Sequence, residues 1–399
     1  NENVSALQDI SVNYGAIDTD GDNPLSYIFK GLFGGYDAGF THINYYYHNH
    51  NYGENELRNL WEYRLSLSEE ETRFVVAHAW EVLGKKYTYY FLNKNCGYRM
   101  AELLEIVEGV KVLPDRSFWL IPQLLIQTIA SSSINNRPLI DEVIYTPSRQ
   151  SRLHDKYKTL SPAERHLIEN MIIDPSALKV QAFTQQPLAR QQLMLDTVMD
   201  YHIFIKAKNT TKAESTEDTY QQALIKRYSL PPGTDKNNRE IPPNPSNGRA
   251  PSLIRASVIE NSVYGSALDI TVRPAYYDEL DAGSGHIKGS ALSMMEATFR
   301  YDYDRLRLKE LNAIDIKSVN PYSTGLPNDD NSSWRLNAGY KSPYLACIED
   351  CLSLGLQADY GFSWNYRTNS LLVVYAGSRI QDNRQDSGNL IFSTKASFI

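Results

Sequence analysis

The period of the apolar positions divides the chain in two. Up to about residue 230 they recur at helical spacing, broken by short alternating runs, whereas beyond residue 252 a period of two takes over. Alternation is clearest from Leu354 to Trp364. There Leu354, Leu356, Ala358, Tyr360, Phe362 and Trp364 interleave with Gly355, Gln357, Asp359, Gly361 and Ser363. It returns with Leu268, Ile270, Val272 and Tyr276, and again with Leu336, Ala338 and Tyr340. Between Leu306 and Ile316 the phase slips near Lys309 to Leu311, which predicts a β-bulge. Strands of about ten residues suit a barrel or a large sandwich. The charged Lys309, Glu310 and Asp315 weigh against burying that strand in lipid.

Before the boundary, Ile10 to Ile17 reads as a strand, followed by a turn on Asp18, Asp20, Gly21 and Asp22 and then a Gly-rich apolar loop. A helix is predicted from Ser68 to Leu83: Ser68 and Glu71 form a capping box, Val75, His78 and Val82 share a face, and Gly84 stops it. After the β-prone run Tyr87 to Leu92, Asn95 caps a second helix. Its apolar stripe is Cys96, Met100, Leu103, Leu104 and Val107, and Gly109 ends it. Further helices follow from Leu153 to Met199, with Ser161 and Glu164 as another capping box. Two polar stretches break the pattern, Ala207 to Asp218 and the Pro- and Asn-rich Pro231 to Ser252, of which the second is the better boundary. The expected units are therefore 1–125, a helical extension 126–230, a linker 231–252 and an antiparallel β domain 253–399.

A chain of 399 residues exceeds what one core organises. Twenty-eight tyrosines against 12 phenylalanines supply rings with an apolar body and a wet end, suited to carbohydrate, lipid headgroups or a membrane interface. A net charge of −7 and the lack of a Lys/Arg run exclude a nucleic-acid groove. No stretch approaches the ~18 apolar residues of a membrane helix, a test that β-barrel strands escape. The chain starts at Asn1 without Met or a signal region, and so reads as trimmed.

Cys96 is the one cysteine before the β domain, and it follows a strand and an N-cap in the first turn of a helix. Unpaired N–H groups and the helix dipole favour a thiolate there, as a nucleophile needs. A small thiol filling a core gap beside Met100 and Leu103 is an equal reading on residue chemistry alone. Asn95 is a cap whose amide could also hold an oxyanion. Asp278, Glu279 and Asp281 read as a solvated turn ahead of a cation site, and neither a metal nor a cofactor is expected.

The run Tyr89-Tyr90-Phe91-Leu92-Asn93-Lys94-Asn95-Cys96-Gly97-Tyr98-Arg99, followed by Leu103-Leu104, resembles the bacterial family related to the N-terminal periplasmic domain of Lnb, the lipoprotein N-acyltransferase. Val12-Asn13-Tyr14-Gly15-Ala16, Tyr27 to Tyr36 and Leu60-Trp61-Glu62-Tyr63-Arg64-Leu65 fall in the same family order, so the resemblance spans about residues 8 to 125. It implies an α+β, circularly permuted papain-like fold with Cys96 as nucleophile. It also implies a basic His in a Gly-His-Thr-like strand, at a position that would fall before Asn1. The Gly-His pair here is Gly285-His286, in the β domain. Within the thiol region His42 is the weak candidate base; His48 and His50 share its Tyr/Asn-rich loop and read as solvated, and His78 packs on its helix.

Val272 to Asp281, Ser333-Trp334-Arg335 and Gly339-Tyr340 resemble the C-terminal all-β antiparallel barrel domain attached to Lnb-like domains in Gram-negative proteins. Cys347 and Cys351 are expected to form a close disulfide in an oxidising compartment rather than a zinc site. The implied function is acyl transfer or hydrolysis on a lipid, lipoprotein or peptide through a Cys thioester, in the periplasm or at the outer membrane. The alternatives are a peptidoglycan amidase or endopeptidase and an inactive docking protein at the outer membrane.

Overall fold

The computed structural model describes residues 9–17, 22–114, 119–208, 214, 216–233, 241–262, 265–279, 281, 283–287, 289–321, 323–341, 352–367, 370–382 and 389–398. Cys347 and Cys351 lie outside them.

The chain opens with β1 (Ile10–Ala16), α1 (Pro24–Phe33), β2 (Tyr36–Asn44) and α2 (Tyr45–His50), which runs on into a π-helical turn at Asn51–Asn55. The apolar loop expected ahead of β2 is in fact helix α1. Its signals are local: the Asn23 side chain accepts from the Ser26 N–H, Pro24 opens the first turn, and Gly34 closes it at φ 83°. Gly31 misled the composition reading, and its role is packing, since the Phe91 ring occupies the space a Cβ would need. Next come β3 (Leu60–Leu65), α3 (Glu69–Val82), β4 (Lys86–Tyr89), α4 (Cys96–Leu104) and α5 (Pro122–Ser131). The Ser68/Glu71 capping box is present, and α3 ends one residue before Leu83. Helix α4 is shorter than its apolar stripe implied: it stops at Leu104, Met100 is exposed, and Val107 is buried from the turn beyond.

β1, β2 and β4 form an antiparallel sheet with β2 in the middle. Tyr14, Ala38 and Phe40 point from one sheet face onto Leu103 of α4. After the short ribbon β5 (Ser133–Ile134) and β6 (Arg137–Pro138), β7 (Ile140–Thr146) pairs with β3. A second core follows, built by α6 (Arg149–Lys158), α7 (Pro162–Ile173), α8 (Gln181–Thr184), α9 (Leu188–Lys208) and α10 (Glu217–Tyr228). The second capping box opens α7: Ser161 Oγ accepts from the Glu164 N–H, and the Glu164 carboxylate accepts from the Ser161 N–H at 2.8 Å. Glu164 also receives Arg190 Nε at 2.6 Å and Arg190 Nη2.

The linker is docked where described. Gln127 of α5 donates to the Gly248 carbonyl at 2.6 Å, Tyr63 of β3 to Asn244 at 2.5 Å, and Trp119 Nε1 to Ser252 Oγ at 3.1 Å. Beyond it run β8 (Leu253–Asn261), β9 (Gly265–Arg273), β10 (Ala275–Tyr277), β11 (Ala291–Asp302), β12 (Arg305–Ser318), β13 (Ser332–Lys341), β14 (Ser353–Arg367), β15 (Ser370–Gln381) and β16 (Leu390–Phe398). All join one antiparallel sheet, with β10 a short piece on β11. The bulge sits where the phase slipped: Thr298 pairs with Glu310 and Phe299 with Leu308, leaving Lys309 unpaired. Tyr276 departs from the alternation of β9, because Pro274 ends that strand and turns Tyr276 to the interior.

The expected barrel is not observed. The sheet is open, with β8 and β16 at its two edges. Alternation reports which residues share a face; closure depends on stagger and curvature, which it does not encode.

The faces of this sheet are inverted relative to those of a soluble sheet. Ile254, Val258, Tyr360, Ile380 and Phe392 are among the apolar residues exposed on one side. On the other, Asn337, Ser363, Asp359 and Gln357 are buried. Charges there are paired: Arg335 with Asp315 at 2.6 Å, Arg300 with Asp269 at 2.7 Å, and Arg273 with Glu296 at 2.8 Å. Asp315 thus points to the polar side, and the bulge at Lys309 separates the two phases of β12.

The β12–β13 loop ties this sheet to the helices. Leu326 is buried in the helical core, Tyr201 donates to the Pro327 carbonyl at 2.9 Å, and His154 Nε2 lies 2.9 Å from fully buried Asp329.

Candidate active site

Cys96 is the first residue of α4, and Asn95 before it is a true N-cap, its Oδ1 accepting from the Tyr98 N–H at 3.1 Å. The same side chain is buried and donates to the Phe91 carbonyl at 3.1 Å and the Leu120 carbonyl at 2.7 Å. Both amide hydrogens are engaged, so the geometry assigns Asn95 to holding the strand-to-helix turn and leaves it no donor for an oxyanion.

The thiol is free and half-buried, packed against the cluster of Tyr14, Ala38, Phe40 and Leu103. The Tyr89 hydroxyl lies beside Cys96, close to both its sulfur and its backbone N–H. Burial first, and then the adjoining sulfur, push the Tyr89 pKa up to about 12, so this phenol stays neutral and able to donate at physiological pH. Aromatic rings continue outward from it: Tyr14 stacks at 6.1 Å, Phe91 lies at 5.9 Å, and Tyr27 of α1 lies 5.1 Å from Phe91. One turn along α4, Arg99 stands 4.4 Å from the Tyr87 ring and pairs with Glu102 at 2.6 Å. Arg99 also faces the buried Tyr14 hydroxyl, and each shifts the other's titration by hydrogen bonding and charge. The site therefore combines a thiol at a helix N-terminus, a neutral phenol beside it and an aromatic wall.

Each of the eight histidines has another place. His42 pairs with Val12 six residues along β2 from Tyr36, the partner of Tyr89, which is about 20 Å of strand. It faces Trp80 of α3 at 5.6 Å. His48 contacts Asn13, on the opposite sheet face from Tyr14, and stacks on Tyr52, while His50 stacks on Tyr46. His78 is partly exposed beside Glu81 rather than packed under its helix. His154 and Asp329 meet at the sheet rim, His166 pairs with Glu169 on the surface, and His202 stacks on Tyr220. His286 stacks on Tyr277. The acidic turn holds cations of the chain itself: Arg249 pairs with Asp281 at 2.7 Å and Asp278 at 3.2 Å, and Lys317 with Glu279 at 2.7 Å. Among the described residues no group of three His, Cys, Asp or Glu is disposed to hold a metal.

Residues 1–131 match the family model of the Lnb N-terminal periplasmic domain. The N-terminal third of the chain resembles that domain. Residues 242–391 match a second model, described as a domain of unknown function (DUF7840). No curated protein and no solved structure matches the chain. The Lnb-like region thus contains Cys96, the residues packed around it and α5, and its periplasmic family supports a periplasmic location. Reading residues singly missed Tyr89, whose signal was available: it alternates with Tyr87 on β4 and so shares the face of Tyr14.

A direct check on this geometry is Tyr89→Phe. A phenol donating to the thiolate that reacts would contribute about 1.5–3 kcal/mol, so iodoacetamide should modify Cys96 at neutral pH at least about tenfold more slowly, with the circular-dichroism spectrum unchanged. An unaltered rate would mean that the hydroxyl does not act on the thiol.

Proposed function

We propose that the chain is a cell-envelope thiol enzyme in which the Cys96 thiolate attacks an acyl carbonyl of a lipid or lipoprotein. The carbon–sulfur bond forms as the ester oxygen or amide nitrogen leaves with a proton, and an amine or water then releases the thioester. The observation that carries this is the half-buried sulfur at the first turn of α4 under the Tyr89 hydroxyl. A helix-borne Cys packed on an antiparallel sheet supports the permuted papain-like reading. The lipid substrate draws support from α1, which exposes Phe29 and Phe33 beside the ring series leading from Tyr27 to Tyr89. An outer-membrane position draws support from the outward apolar face of the β domain.

A second reading, a docking protein without catalysis, is favoured by the placement of all eight histidines away from Cys96. Incubation of full-length protein with a phospholipid, a diacylated lipopeptide and a peptidoglycan stem peptide separates the possibilities. Fatty-acid release or transfer is expected; cleavage of the stem peptide alone would indicate an amidase, and inertness toward all three the docking protein.

A further inference from the structure

We infer that the β domain contacts the hydrocarbon of a bilayer through its exposed apolar face, with the rim that carries the two other domains on the periplasmic side and the opposite rim beyond the membrane. This rests on the envelope reading above and adds a partner and an orientation to it.

The first observation is the inverted polarity. Water would be met by the ion-paired face of an ordinary sheet, yet here that face is buried and the aliphatic one is exposed. That is the division required when the surroundings are hydrocarbon. Length agrees: the eight long strands have 9 to 15 residues each, against the about 9–11 that a tilted strand needs to cross.

The second observation is where the large rings lie on the exposed face. At one end of the strands stand Trp334, Tyr360, Phe362, Trp364, Tyr366 and Phe398; toward the other stand Tyr301, Tyr303 and Tyr340. Between these bands the register rows hold Leu336, Ala338, Leu356, Ala358 and Ile380, with Phe392 of the edge strand beside them. Two aromatic bands about a mainly aliphatic middle are the pattern of a wall touching both interfaces.

The third observation sets direction. Every described attachment of the sheet to the other domains is at the rim where β8 begins and β12 ends: Ser252 to Trp119, Gly248 to Gln127, Pro327 to Tyr201, and Leu326 in the helical core. At the opposite rim β11 and β12 join through a two-residue hairpin, Tyr303 and Asp304, both at positive φ. Helices and thiol site therefore share one side of the bilayer plane defined by the bands, and a periplasmic location of the Lnb-like region fixes that side. Hydrocarbon leaves no water for backbone edges, so β8 and β16 each need a strand partner there, from this chain or a second copy.

Full-length protein lacking its own thiols (Cys96→Ser, Cys347→Ser, Cys351→Ser) tests this with single added cysteines. A fluorophore on Leu356→Cys or Phe392→Cys should be quenched at least twofold by brominated lipid in reconstituted vesicles, and one on Gln357→Cys should not. In intact cells a membrane-impermeant maleimide should label Asp304→Cys, whereas Ile287→Cys at the attached rim should react only after permeabilisation of the outer membrane. No lipid quenching at Leu356 and Phe392, or labelling of the rims in the reverse order, overturns the inference. Acyl chemistry is assayed separately on the wild-type chain, so active Cys96 without quenching sinks only this inference, and quenching with inert Cys96 sinks only the enzymatic reading.

Discussion

Cys96→Ala is expected to lower acyl release by about 10³-fold or more, because every later step passes through the carbon–sulfur bond. The substitution removes one half-buried sulfur atom at the start of α4 and leaves the Asn95 cap intact, so the melting profile should stay close to that of the wild type. Cys96→Ser should be as inactive, since a hydroxyl at this position is a far weaker nucleophile than a thiolate. Steady-state rates with the responsive acyl donor check both, and residual activity within tenfold of wild type would remove Cys96 from the mechanism.

The second large effect is on stability. Hydrogen bonding from Arg190, joined by the Ser161 N–H, overcomes the opposing effect of burial and holds the Glu164 pKa at about 2, below its ordinary 4.5. A depressed carboxylate contributes stability that is fully present above the unfolded value and is lost as pH falls through the folded one. The window is thus pH 4.5 down to about 2, and the difference corresponds to about 3 kcal/mol at neutral pH. Glu164→Gln keeps a capping acceptor but drops the ion pair, so a loss of about 2–3 kcal/mol is expected in urea unfolding at pH 7. The mutant and wild-type curves should converge toward pH 2. A constant gap across that range would show that the ion pair is not its source.

What could be read in the sequence was what depends on neighbours along the chain. Both capping boxes need only Ser and Glu three apart, and the bulge at Lys309 announced itself as a slip in a period of two. The same locality set Asn95 as a cap with Cys96 one position on. Helix α1 was equally local, but its glycines, present because Phe91 and Tyr90 crowd them, outweighed the Asn-Pro start. Long-range facts were illegible. Nothing near Leu326 says that a loop leucine between two strands will fill a helical core more than 100 residues upstream. Pairing of β2 with β4, which fixes how far His42 stands from Tyr89, likewise joins segments with no local signature. Openness of the sheet is of this kind too, since identical alternation serves an open sheet and a closed one.

The central claim is that Cys96 carries an acyl group during turnover. Quenching the reaction with acid at early times and mapping the peptides by mass spectrometry tests it most directly. The expected result is a mass increase equal to the donor's acyl group on the peptide containing Cys96, removed by neutral hydroxylamine and absent from Cys96→Ala. An unmodified Cys96 peptide during measurable acyl release would contradict the account.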